Sequence, residues 1–219
     1  MNLEEAIAQF RVDADDLVSP YLSSDEQVAG WFGEAQEEAA IRANLLFDST
    51  SAFCDIDVTA GTASYALSPY VACVTYADFT ADGSTTAEVL TMTDRFAMDR
   101  DNPGWRAQTD TPRYLIVDQT SVQLACKPTA NGTLHIECYR LPITVLADTE
   151  AFEIGAQHHR HLVQWALYKC YSRPQADIHD PQRAQTALAE FTRQFGNRPD
   201  AGMRRGFLSN TPAHNQVYW

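Results

Sequence analysis

QHHRHLVQWALYKCY, residues 157–171, sets three histidines within four positions at the head of an apolar run. The spacing of Leu162, Val163, Ala166, Leu167 and Cys170 predicts a helix from about Gly155 to Tyr171. Two readings of its first turn compete. In one, His158 and His161, at i and i+3, share a helical face and supply two ligands to a metal, with Asp177, His179 or Asp180 as the third. That reading lacks the H-E-x-x-H pattern, and no carboxylate stands on the helix to act as general base. In the other, favoured reading, His158, His159 and His161 are the polar opening of a structural helix. Leu162, Ala166 and Cys170 then face a helical core, and Trp165 and Tyr168 turn toward a β module or a neighbouring subunit.

Outward from this stretch, the C-terminal side breaks at SRPQADIHD, residues 172–180, and a new helix starts with Asp180 as N-cap and Pro181 in its first position. Ala184, Ala187, Leu188, Phe191 and Phe195 form its stripe, and Gly196 ends it. At the N-terminus, Leu3, Ala6, Ile7, Phe10, Ala14 and Leu17 keep a helical period until Pro20 interrupts. A second helix opens on a capping box, Ser24 with Gln27, with Asp25 and Glu26 in its first turn. Its apolar stripe is Val28, Trp31, Phe32, Ala35, Ala39, Ala43 and Leu46, and Glu34, Glu37 and Glu38 read as a solvated acidic face.

Between about residues 53 and 146 the period changes from helical to alternating. Short β-branched and aromatic runs recur between turn signals, ending in TLHIECYRL, residues 133–141, where Leu134, Ile136 and Cys138 point one way and His135 and Glu137 the other. Asp82-Gly83 and Asn131-Gly132 each lie between two runs and are hairpin candidates. RFAMDRDNPGW, residues 95–105, reads as a turn or short helix. The expected fold is therefore α+β: a helical bundle from the N- and C-terminal helices (residues 1–50 and 150–196), an inserted, mostly antiparallel β module (51–149), and an extended C-terminal tail (197–219).

With 16 basic against 29 acidic residues the net charge is −13, which disfavours gripping a nucleic-acid backbone but suits a wall past which DNA slides. Cys54, Cys73, Cys126, Cys138 and Cys170 are widely spaced and odd in number, as reduced, buried thiols are. The opening MNLEEAIAQF does not read as a signal peptide, and no apolar run reaches membrane-spanning length, so a soluble protein is expected. His135 and Glu137 share a strand face, a weak acid–base pair. There is no G-x-S-x-G, P-loop or G-x-G-x-x-G, and neither an enzyme nor a cofactor is expected. Residues 197–219 lack any period yet carry Arg204, Arg205, Phe207, Tyr218 and Trp219, side chains typical of interface anchors.

Taken in series, several stretches resemble the head–tail adaptor (connector, or neck) proteins of tailed bacteriophages. They are DLVSPYLSSDEQVAGWFGEAQEEAAIRANLL (16–46), RFAMDRDNPGW with TPRYLIVD (95–118), LACKPTANGTLHIECYRLP (124–142, similar to that family's final hairpin), the opening stretch, and DPQRAQTALAEFTRQFG (180–196). The resemblance covers nearly all of residues 1–196 in order. It departs at Ile154-Gly155, where a proline is expected, and finds no counterpart for residues 197–219. It implies a non-enzymatic virion protein of the neck, assembled in the host cytoplasm. Its partners would be the portal protein, a tail, nozzle or tail-completion protein, and further copies of itself in a ring of twelve, through whose lumen viral DNA passes without specific binding and without contact to a membrane. The tail residues Arg204, Arg205, Phe207, Tyr218 and Trp219 would then dock on the portal. A metal-dependent hydrolase using His158 and His161 is the alternative from another class, and a tail-completion or tail-tube protein is a variant within the same one.

Overall fold

The computed structural model describes residues 1–144, 146, 149–174 and 178–200. Among them the chain is α+β and divides into two compact units, Met1–Leu46 with Leu141–Arg198, and Phe47–Arg140.

The first unit is helical. α1 (Leu3–Ala14) is opened by Asn2, whose side chain accepts from the Glu5 amide while Glu5 reaches back to the Asn2 amide. It stops at Asp15, which adopts a left-handed conformation (φ 59°), so Leu17 lies beyond the helix and is exposed rather than continuing the apolar stripe. α2 (Asp25–Ala43) starts on the expected Ser24–Gln27 capping box. Val28, Phe32, Ala35 and Ala39 are buried, but Ala43 is exposed in the last turn.

α3 (Arg95–Asp101) belongs to the second unit. The chain returns to the helices through Phe152 and Ile154, both buried, and Leu3 donates its amide to Glu150 O. α4 (His159–Tyr171) follows one turn of 3-10 helix and packs on α1, α2 and α5 (Pro181–Phe195). Asp180 caps α5 by accepting from the Gln182 and Arg183 amides, and Gly196 ends it. One core joins these helices: Phe10, Phe32, Leu162, Ala166 and Phe191 are at its centre, each fully buried. Burying such side chains is the main favourable term in folding.

The second unit is mostly antiparallel sheet. Its strands are β1 (Phe47–Asp48), β2 (Asp55–Val58), β3 (Ser64–Ala66), β4 (Val71–Ala81), β5 (Glu88–Val89), β6 (Thr91–Thr93), β7 (Thr109–Asp110), β8 (Tyr114–Val117), β9 (Ser121–Leu124), β10 (Lys127–Pro128) and β11 (Gly132–Arg140). β11 is the hub: β4 pairs along one of its sides, and β1 and β2 pair along the other, all antiparallel. A further sheet runs β3-β9-β8-β6, with β6 and β8 parallel, and β7 pairs with β10 in parallel.

Leu134, Ile136 and Cys138 enter the core as their alternation requires, meeting Val74, Phe79, Leu115, Val122 and Leu124. Ile116 points to the opposite face of β8 and packs with Met98 and Trp105, which explains why a short helix interrupts the strands here. The Trp105 indole donates to Asp99 at 2.8 Å.

One hairpin forms and the other does not. β4 and β5 pair antiparallel around Asp82-Gly83, with Gly83 at φ +79°. Asn131-Gly132, however, leads from β10 into β11, and these two strands join different sheets. The pair serves a close approach instead. The Asn131 side chain accepts from the Ala60 amide, its carbonyl accepts from Asp82, and a Cβ at position 132 would lie 2.2 Å from Thr80 O.

Candidate interaction surface

The histidines open α4, with His158 at its N-cap and His159 and His161 in its first turn, but one of them is buried. His159 is only 4% exposed; its Nε2–H donates to Ile154 O at 2.7 Å and its ring stands edge-on to Phe152. His158 and His161 lean on Phe195. Burial, and then the neighbouring His161 and His159, lower the His158 pKa. Trp165 and Tyr168 are partly buried. They pack on the helical core, Trp165 against Phe191 at 5.0 Å with the Arg42 guanidinium over its ring.

The ligands suggested for a metal are engaged elsewhere. His179 donates to Tyr171 O at 3.0 Å and Asp180 caps α5. Asp177 lies outside the described residues, and among those described no group of three or more His, Cys, Asp or Glu side chains is arranged to hold a metal ion. On the β unit, His135 pairs with Asp55 at 2.6 Å rather than with Glu137. The thiols are free, and all but Cys73 are buried. Burial, then Cys54 and Asp48, push the Cys138 thiol up to about 12, far from nucleophilic competence.

Of the expected solvated face, Glu34 and Glu37 are exposed and Glu38 is not. Glu38 is buried and pairs with Arg42 at 2.8 Å and Arg198 at 3.3 Å, and Glu34 pairs with Lys169 at 2.7 Å. A second staple, unsignalled by any motif, holds the α1–α2 corner. The Arg11 guanidinium is buried; it pairs with Asp16, donates to Ser23 O at 2.6 Å and to Asp25 at 2.7 Å, and stacks over Tyr21 at 4.0 Å. Asp16, also buried, accepts from the Leu22 amide at 3.0 Å.

What this staple holds outward is apolar. Val12 (61% exposed), Leu17 (59%), Val18 (79%), Tyr21 (46%) and Leu22 (47%) fall within one short stretch. Asp13 and Asp15, next in sequence to these side chains, line a cleft of about 640 Å³ whose other walls include Asp180, Arg183, Leu167 and Tyr171. LVSPYL, residues 17–22, with its proline among four large apolar side chains, is the sequence signal that could have flagged the corner. The tail residues Arg204, Arg205, Phe207, Tyr218 and Trp219 lie outside the described residues.

A fold that gathers exposed apolar side chains at a stapled corner has a feature of an assembly component. The chain belongs to the SU10 adaptor protein family, a family of phage head–tail adaptors, whose model matches residues 1–214. The match runs past residue 196 into the stretch for which the sequence pattern offered no counterpart, and takes in Arg204, Arg205 and Phe207. No curated protein matches the chain. Membership implies a structural role in joining phage head and tail components. Among the described residues no helix is long and apolar enough to cross a membrane.

Proposed function

We propose that the chain is the subunit of a ring, twelve-fold as in its family resemblance, that sits in the virion neck below the portal, extends the DNA channel and offers a platform to the tail. The observation that carries this reading is the family match across residues 1–214. On this reading a helical bundle, residues 1–50 with 150–196, supplies the ring contacts, and residues 51–149 form a β-rich insertion. The segment 197–219 docks on the portal through Arg204, Arg205, Phe207, Tyr218 and Trp219, ordering as it binds. The net charge of −13 suits a lumen through which DNA moves without adhering. Assembly takes place in the host cytoplasm.

Electron-microscopy class averages of the chain mixed with its cognate portal test this directly, and a ring below the portal is the expected result. Deleting residues 203–219 is expected to leave a folded protein that no longer binds portal rings. Undiminished binding by that truncation overturns the docking role of the tail, and an absence of any ring with the intact chain overturns the adaptor reading.

A further inference from the structure

We propose that the α1–α2 corner is a docking surface for a basic, apolar peptide segment of a neighbouring head or tail component. Loop tips are ordinarily polar and mobile. This one displays Leu17, Val18, Tyr21 and Leu22 to solvent while a buried Arg11–Asp16 pair fixes the backbone beneath them. Sequestering two charges from water is costly and gives little net stability, so its yield is a fixed conformation. A surface held rigid before its partner arrives loses less entropy on binding. The apolar side chains are thus presented ready for contact, and exposed apolar patches of this kind mark interaction sites.

The walls select the occupant. Asp13 and Asp15 stand between Val12 and Leu17 in sequence, and with Asp180 they line a cleft where Arg183 is the basic side chain and is already paired with Asp180. Asp180 is taken up by its helix cap and Arg183, but Asp13 and Asp15, next in sequence to the apolar knob, favour a segment bearing arginine or lysine between apolar side chains. Phosphate backbones and anionic lipid are repelled by the same carboxylates. A second copy of this chain brings a surface that is itself strongly acidic, with net charge −13, and is disfavoured on the same ground.

The test uses the full chain and two synthetic peptides of about twelve residues, one alternating arginine with leucine and the other glutamate with leucine, with affinity read by fluorescence anisotropy. The arginine peptide is expected to bind at least tenfold more tightly than the glutamate peptide. A Leu17→Asp/Val18→Asp chain is expected to lose that binding at least tenfold. Because this variant adds two negative charges, attraction by net charge alone would strengthen binding; unchanged or tighter binding therefore overturns the proposal. Equal binding of both peptides overturns it as well. A tenfold rise in affinity on deleting residues 203–219 assigns the surface to the chain's own end and overturns the partner assignment. Dimerisation of the free chain that Leu17→Asp/Val18→Asp abolishes assigns it to a second copy, with the same consequence. No portal is present in any arm, so these outcomes are independent of the ring reading.

Discussion

In the helical unit two buried carboxylates are paired with arginines, Asp16 with Arg11 and Glu38 with Arg42, whereas the β unit buries one carboxylate, Asp48, where its first and last strands meet. The two environments treat charge differently. Asp48 accepts from the Thr50 and Ser51 amides, the Ser51 hydroxyl and Arg140. Burial alone would raise its pKa, but these bonds outweigh burial and hold the carboxyl well below its usual range. Asp16 relies on the Arg11 guanidinium and the Leu22 amide. The contrast predicts that a carboxylate wrapped in backbone amides tolerates the loss of its cation better than one that leans on a single guanidinium.

Removing each cation breaks or sharpens that contrast. Arg11→Ala leaves Asp16 buried and uncompensated and is expected to cost about 3–5 kcal/mol in denaturant unfolding. Arg140→Ala, which leaves Asp48 the two amides and the Ser51 hydroxyl, is expected to cost about 1.5–3 kcal/mol. Equal costs would show that the amides contribute nothing. Leu134→Ala, at the centre of the β core, is expected to cost about 2–5 kcal/mol. Hydrogen exchange should show that loss in β11 while α4 keeps its protection, if the units open separately.

Acid separates the units further. His158, whose pKa is lowered in the folded chain, binds its proton more readily when unfolded, so the helical unit keeps its full contribution above about pH 6.5 and loses it as pH falls through that range. The depressed Asp48 carboxyl works in a different window, its contribution holding until the pH drops below about 4. Amide protection in α4 is expected to fade before that in β11, and His158→Gln to remove the upper step. The smallest effects are local. Ser24→Ala is expected to cost about 1 kcal/mol through loss of the cap, and Leu17→Asp/Val18→Asp to change stability by no more than about 0.5 kcal/mol, since both side chains face water.

What could be read from the sequence follows from how far each determinant reaches along the chain. Caps are made by neighbours within three residues, so Ser24 with Gln27, Asp180 with Pro181, and Gly196 were legible in advance. Alternation likewise gave the buried face of β11. Pairing is set by strands far apart in sequence, which is why Asn131-Gly132 looked like a hairpin turn although β10 and β11 join different sheets. Glu38 failed for a related reason: its helical phase is polar, yet Arg42 and Arg198 come to it and allow burial. The corner was missed because its staple spans Arg11 to Asp25, and no periodicity records that one guanidinium will gather an aspartate, a carbonyl and a tyrosine ring.

The pairing of Phe47 with Tyr139 and of Asp48 with Cys138 carries one more consequence. Closing a loop costs entropy that grows with the logarithm of its length. Here the β unit brings its own two ends together by folding, so the helices need not spend stability on that closure, however long the intervening chain becomes. Extra residues in the turn between β4 and β5 lengthen the gene without widening the gap between Leu46 and Leu141. Such a segment behaves as a cassette: it can grow, shrink or be exchanged over generations while α1, α2, α4 and α5 go on packing as before.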